Sequence, residues 1–267
     1  MRNWFKYLIS DKYLKDIDDR FLLTNSELIE NNKNFQDIFK FDYFKKNKIF
    51  FKQYNFLKNN LDPNKETLFI GSSWGESEFF LKDKFKITAS DIMNKYVEFH
   101  KNNTDLNYRK LDILNLENQN LEYEQIVMNN IEYLFDNNQL RQCIKNISKI
   151  SKPGAKIIVI FRSRDSFLIK IIDQFLIFIE TYFIYLIKKI YNKVYFLKAH
   201  HGFRRSLREY KNIWIENNFE YQSIYEDLFE HEYCRLRIVR YSKISYLLSK
   251  VFFKYNPYLN ILIFKKN

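Results

Sequence analysis

Residues 67–81, TLFIGSSWGESEFFL, are the stretch around which the rest of the chain is organised. The apolar run Leu68-Phe69-Ile70 has strand composition, Gly71-Ser72-Ser73-Trp74-Gly75 is a small-residue turn, and Glu76-Ser77-Glu78-Phe79-Phe80-Leu81 suits a helix. Strand, tight loop and helix in that order put the loop at the carboxyl end of a first strand, where backbone N–H groups and glycines let a nucleotide-like ligand come close. Short glycine turns are also plain connections, so the residues that follow decide its meaning.

Residues 85–90, FKITAS, predict a second strand ending on Asp91. That acid lies about twenty residues beyond the turn, where one carboxylate can accept both hydroxyls of a ribose. A helix through Tyr96, Val97, Phe99 and His100 leads to a third strand over 108–111, followed by Asp112-Ile113. Residues 125–128, QIVM, form a fourth strand that ends on Asn129-Asn130. A helix over 139–150 then carries Leu140, Cys143, Ile144, Ile147 and Ile150 on one stripe and ends at Lys152-Pro153-Gly154. The fifth strand, Ile157-Ile158-Val159-Ile160-Phe161, is an unbroken apolar run, as a sheet covered on both faces requires. Five strand–helix units in succession predict a parallel α/β sheet. Residues 219–225 and 234–240 read as two more strands, and the short connection 226–233 predicts that they pair as an antiparallel hairpin. Apolar and basic residues alternate in the second, which marks a half-exposed or edge strand.

Outside the sheet, residues 1–61 read as an aromatic-rich helical extension, with Phe39, Phe44, Phe51, Tyr54 and Leu57 at roughly helical spacing. The sheet domain is expected over 62–241, interrupted by a helical insertion at about 164–200, and followed by an apolar and basic tail, 242–267. Within the insertion, 167–197 leaves only a narrow polar stripe through Lys170, Asp173, Glu180, Lys188 and Asn192, so most of its surface must be covered. Packing as a lid over a substrate pocket or against the N-terminal helices is the expectation, with a dimer interface or a membrane surface as the alternatives. Asp173 and Glu180 interrupt the ~20 apolar residues that a membrane span needs.

The 267 residues carry 44 Lys+Arg against 32 Asp+Glu, a net charge of +12, which raises nucleic acid, anionic lipid or a phosphorylated substrate as partners. No long basic block supports the charge, and a chain with Gly 4 and Pro 3 has the composition that an AT-rich genome produces. Its 2 cysteines, Cys143 and Cys234, make no disulfide framework and no metal spacing, so a reducing cytoplasm is the expected compartment and no metal is expected. Residues 1–20 have a short apolar centre followed at once by acids, unlike a signal peptide.

Over roughly residues 65–240 the chain resembles the class I S-adenosylmethionine-dependent methyltransferases. LFIGSSWGESEFFL stands where that family has its first motif, Asp91 where its ribose-binding acid lies, and Leu111-Asp112-Ile113 where a residue pair cradles the adenine. VMNNIEYLFDNNQLRQCIKNISKISKPGAKIIVI is similar to its fourth-to-fifth-strand segment. The resemblance implies a Rossmann-like seven-stranded sheet, S-adenosyl-L-methionine as cofactor, and Gly71, Ser72, Ser73, Gly75, Asp91, Ile92, Asp112, Ile113 and Asn129 as its binding residues. Two positions depart from the pattern. Phe69 replaces the usual acid before the loop, and Ser73 the second glycine, so Glu76 or Glu78 is the substitute acid to examine. Tyr133 stands where many small-molecule members have a histidine.

On the acceptor side, His200, His201, Arg204 and Arg205 combine candidate bases with guanidinium groups able to clamp a phosphate or carboxylate, and Arg162, Arg164 and Asp165 follow the fifth strand. The expected acceptor is a small molecule or a glycan or lipid precursor, methylated at oxygen. Asn129-Asn130-Ile131-Glu132 lacks the Asp/Asn-Pro-Pro-aromatic tetrapeptide of amino-directed base methyltransferases, which leaves RNA ribose or carbon methylation as one rival. A non-catalytic protein that kept the fold is the other. Peripheral membrane contact would run through 167–197 or 242–267, and the oligomeric state is left open.

Overall fold

The computed structural model describes residues 39–46, 48–116, 121–162, 205–225 and 259–267. Along them run α1 (Phe41–Lys46), α2 (Lys48–Asn60), β1 (Thr67–Ile70), α3 (Glu76–Leu81), β2 (Ile87–Asp91), α4 (Asn94–Asn103), β3 (Tyr108–Lys110), β4 (Tyr123–Asn129), α5 (Asn137–Ile150), β5 (Ser151–Arg162), α6 (Leu207–Ile215), β6 (Phe219–Tyr225) and β7 (Leu259–Lys266). The strands form a seven-stranded sheet in the order β3-β2-β1-β4-β5-β7-β6. β1 to β5 pair in parallel, and β7 runs antiparallel to both β5 and β6.

The unbroken apolar run of β5 is explained by what lies on either side of it. Ile157, Val159 and Phe161 enter a core with Leu140, Cys143, Ile144, Ile147 and Ile150 of α5 and Trp214 of α6. Ile158 and Ile160 enter a second core with Phe44, Tyr54 and Leu57 of α1 and α2. Side chains alternate along a strand, so only a run apolar at every position satisfies both layers. α5 presents the expected stripe, and Asp136 starts it with a capping box: its side chain accepts from the Gln139 N–H at 2.8 Å while Gln139 accepts from the Asp136 N–H at 3.0 Å. On the other face the aromatic N-terminal residues pack as expected, with Phe44 4.7 Å from Phe80 and 5.7 Å from Tyr54. Residues 1–38 and the insertion over 163–204 lie outside the described residues.

Two expectations are corrected. The strand that closes the sheet is β7, from the stretch read as a tail, whereas 234–240 lies outside the described residues. β7 sits between β5 and β6, so it needs apolar residues on both faces. Ile261, Leu262 and Phe264 are fully buried, which the alternating arginines of 234–240 could not match. Residues 259–266 are therefore inside the sheet and unavailable for membrane contact. The β3–β4 connection also carries no helix among the described residues, being a turn at Asp112–Asn115 instead.

Candidate functional site

The carboxyl ends of β1, β2 and β4 lie side by side, and the loop 71–75 spans them. The Gly71 and Ser72 N–H groups donate to the Ser90 carbonyl at 3.0 and 2.9 Å, and the Gly75 N–H closes the turn on the Ser72 carbonyl at 2.8 Å. Gly71, Ser73 and Gly75 have φ of 78°, 51° and 63°, so the chain needs left-handed backbone three times in five residues. Ser73 adopts it without a glycine's freedom because three groups hold it. Its N–H donates to Asp91 Oδ2 at 3.1 Å, its carbonyl accepts from the Tyr108 hydroxyl at 2.7 Å, and its own hydroxyl donates to the Tyr96 oxygen at 3.1 Å.

The next carbonyl, of Trp74, accepts from His100 Nε2 at 3.0 Å. A carbonyl cannot donate, so that nitrogen carries the proton and Nδ1 accepts from the Thr104 hydroxyl at 2.8 Å. Burial holds the ring below the usual histidine range and therefore neutral. His100 also stacks on Tyr108, with centroids 4.6 Å apart. A Cβ at Gly75 would lie 3.0 Å from Leu106 and 3.3 Å from His100, so a larger residue there would push on both side chains in addition to the strain of its positive φ.

Acidic groups gather beneath this loop. Asp91 receives the Ser73 N–H on one oxygen and the Met93 N–H on the other, which still leaves lone pairs for further donors. Burial pushes its carboxyl up, against those N–H bonds and Lys95, which favour its charged form. Burial also raises Glu76 and Glu78 to about 7, and Tyr96 to about 12. Glu78 Oε1 and Lys95 Nζ are buried and have no hydrogen-bond partner. Burial lowers Lys95, with the Asp91 charge opposing the shift.

At the end of β4, Asn130 takes a φ of 54° while its N–H donates to the Ile160 carbonyl at 2.8 Å; its Oδ1 is buried without a partner. Ile131 packs directly on Gly71, leaving no space for a Cβ there. The turn after it is braced by Arg205, whose Nε donates to Asn137 at 2.8 Å and whose terminal nitrogens donate to the Glu132 and Phe135 carbonyls at 3.1 and 2.6 Å. Arg205, expected as an acceptor clamp, is buried and turned to the protein's own backbone. Arg205→Lys should therefore lower stability by roughly 1–3 kcal/mol, because an ammonium cannot meet acceptors arranged for a planar fork. A thermal midpoint equal to wild type would remove this bracing role.

No protein-family model and no curated protein matches the sequence. Solved structures do match the fold. A SAM-dependent methyltransferase from Thermotoga maritima aligns with a TM-score of 0.56 at 14% identity over 95% of this chain and 100% of that one. A TehB-like SAM-dependent methyltransferase from Corynebacterium glutamicum gives 0.51 at 8% identity over 97% and 100%. An S-adenosylmethionine dependent methyltransferase from Mesorhizobium loti gives 0.52 at 10% over 80% and 97%. This is the class I methyltransferase fold. In it, the carboxyl ends of β1, β2 and β4 are the ligand-facing edge of the sheet.

The structure brings together Gly71, Ser72, Ser73, Gly75 and Asp91, with Ile92 beside them at 56% exposed. Asp112 faces its own turn, accepting from the Leu114 N–H at 3.0 Å and from Asn115 at 2.7 Å, and Ile113 points its side chain into the core. Asn129 is partly buried at the tip of β4. His200, His201, Arg204, Arg164 and Asp165 lie outside the described residues, as do the side chains of Arg162 and Tyr133. Sequence reasoning missed the clamp made by Tyr96, His100 and Tyr108. Tyr96 and His100 lie four apart on the buried face of α4, and that spacing is the signal they left. Among the described residues no cluster of His, Cys, Asp and Glu could hold a metal, and no helix is long and apolar enough to cross a membrane.

Glu78 Oε1, buried without a donor, and the remaining lone pairs of Asp91 fit a cationic ligand that carries hydroxyls. S-adenosylmethionine is such a molecule.

Proposed function

We propose that this chain is a methyltransferase that binds S-adenosylmethionine against the 71–75 loop and passes its methyl group to an oxygen of a small molecule or of a glycan or lipid precursor. The observation that supports it most is the bond from the Ser73 N–H to Asp91 Oδ2, which ties the loop to the acid at the tip of β2. Asp91 accepts the ribose hydroxyls, the exposed Ile92 covers one face of the adenine, and Asp112-Ile113 and Asn129 border the base and the methyl end. S-adenosylmethionine supplies a methyl group already activated on a sulfonium, so the protein's task is alignment and exclusion of water. The acceptor is held by the segment that includes His200, His201 and Arg204. An acceptor acid enough to lose its proton late needs no strong base from the protein.

Calorimetric titration with S-adenosylmethionine tests the reading. Binding is expected, and folded protein that gives no heat at millimolar ligand overturns it in favour of a fold kept without its cofactor. Phe69 favours that second reading, because it is buried where the family carries an acid. If the cofactor binds, Asp91→Ala should weaken it by roughly 1–3 kcal/mol, the cost of hydroxyls left without a charged acceptor. Unchanged affinity would place the site elsewhere. RNA as acceptor predicts tight binding at low salt that falls steeply as salt rises, and the absence of that dependence excludes it.

A further inference from the structure

Among the described residues, three that are not glycine take a positive φ: Ser73, Asn130 and Asn218. Asparagine tolerates left-handed backbone better than other L-residues, and serine has no such allowance. What offsets the cost at Ser73 comes from outside the loop. Tyr108 of β3 donates its hydroxyl to the Ser73 carbonyl at 2.7 Å, and the Ser73 hydroxyl donates to Tyr96 of α4 at 3.1 Å. Both rings are themselves held. Tyr96 is 1% exposed and meets Trp74 edge-on at 4.7 Å, while Tyr108 stacks on the fully buried His100, which bonds to the Trp74 carbonyl. Burial pushes the Tyr108 phenol up, so its proton stays in place to donate. Bonded to a buried phenol, the Ser73 side chain is turned toward α4.

We infer that Tyr96 and Tyr108 are positioning residues for the cofactor loop, holding Ser73 in a conformation that a glycine would take without support. The inference rests on the cofactor reading above. In this conformation the Ser73 N–H also binds Asp91 Oδ2, so a loop that relaxes at Ser73 loosens the acid at the tip of β2 as well. Cofactor affinity therefore depends on two phenols that act through the loop. A glycine at position 73 carries no Cβ, so it removes that dependence.

The test is a double-mutant cycle on the full chain, read as S-adenosylmethionine affinity by calorimetry. Tyr96→Phe and Tyr108→Phe keep the rings and should each weaken binding about 3- to 10-fold. Tyr108 decides the matter, because its partner is a backbone carbonyl that glycine retains. Added to Ser73→Gly, Tyr108→Phe should cost less than about twofold relative to Ser73→Gly alone. An equal loss in both backgrounds overturns the inference, as does a lowered melting midpoint with affinity unchanged. Ser73 provides a second measurement should the tyrosine variants misfold. Ser73→Ala keeps the Cβ and loses the bond to Tyr96, so Ser73→Gly, although it removes more, should bind about 3- to 10-fold more tightly than Ser73→Ala. Equal affinities or the reverse order overturn the inference and leave the cofactor reading intact. A wild-type chain that binds no S-adenosylmethionine overturns both.

Discussion

A chain that ends at residue 258 is expected not to fold. The nine residues beyond it supply β7, which pairs along its length with β5 from Lys156↔Lys265 to Arg162↔Leu259 and with β6 from Phe219↔Lys266 to Tyr225↔Ile261. Its removal deletes Ile261, Leu262 and Phe264, all fully buried. Large-to-small changes at such sites cost ~2–5 kcal/mol each, so their joint loss, at roughly 6–15 kcal/mol, matches the ~5–15 kcal/mol that stabilises an ordinary domain. The loss is greater than that comparison implies. Phe264 stacks on Trp214 at 5.0 Å, so α6 loses its partner as well, and the facing edges of β5 and β6 are left with unpaired N–H and carbonyl groups. Far-ultraviolet circular dichroism and a thermal melt of the truncated chain check this. A cooperative transition at the full-length midpoint would show that β7 is dispensable, and would return the closing position to 234–240.

That correction shows where the sequence was legible and where it was not. The parallel half could be read because each strand carried its own signal: β5 is apolar at every position, and α5 has a stripe and a cap. The closing pair was read from 219–225 and 234–240 because a short connection joins them, and the stretch that supplies β7 was read as a tail. Burial on both faces was the better discriminator, because a strand held between two others in a covered sheet cannot alternate with arginine. The loop was legible from its glycines and Asp91. Its support was not, since Tyr96, His100 and Tyr108 look like ordinary core residues until the fold brings their polar ends to Ser73 and Trp74. Arg205 misled for the same reason: a sequence records a guanidinium but not the carbonyls that the chain will turn toward it.

Gly71 makes the same point at a single atom. Gly71→Ala is expected to destabilise the protein by roughly 2–5 kcal/mol, although alanine is the smallest change available. At φ 78° an L-residue with a Cβ is strained by ~1–2 kcal/mol. The added Cβ would also lie 2.2 Å from Ile131 Cγ2 and 3.4 Å from its Cβ and Cδ1, far inside van der Waals contact. Ile131 cannot swing aside freely, because the methyl in conflict sits on its branch point and its side chain packs against the core beneath α5. The β1 and β4 loops must therefore separate, at an overpacking cost of ~1–3 kcal/mol. For a domain of this size the melting midpoint should fall roughly 4–20 °C. Ile131→Ala separates the two terms. Combined with Gly71→Ala it removes the clash and leaves the backbone strain, so the double variant should recover ~1–3 kcal/mol relative to additivity. Additive losses would mean that the backbone conformation alone requires glycine, and an unchanged midpoint for Gly71→Ala would mean that the two loops do not meet as described.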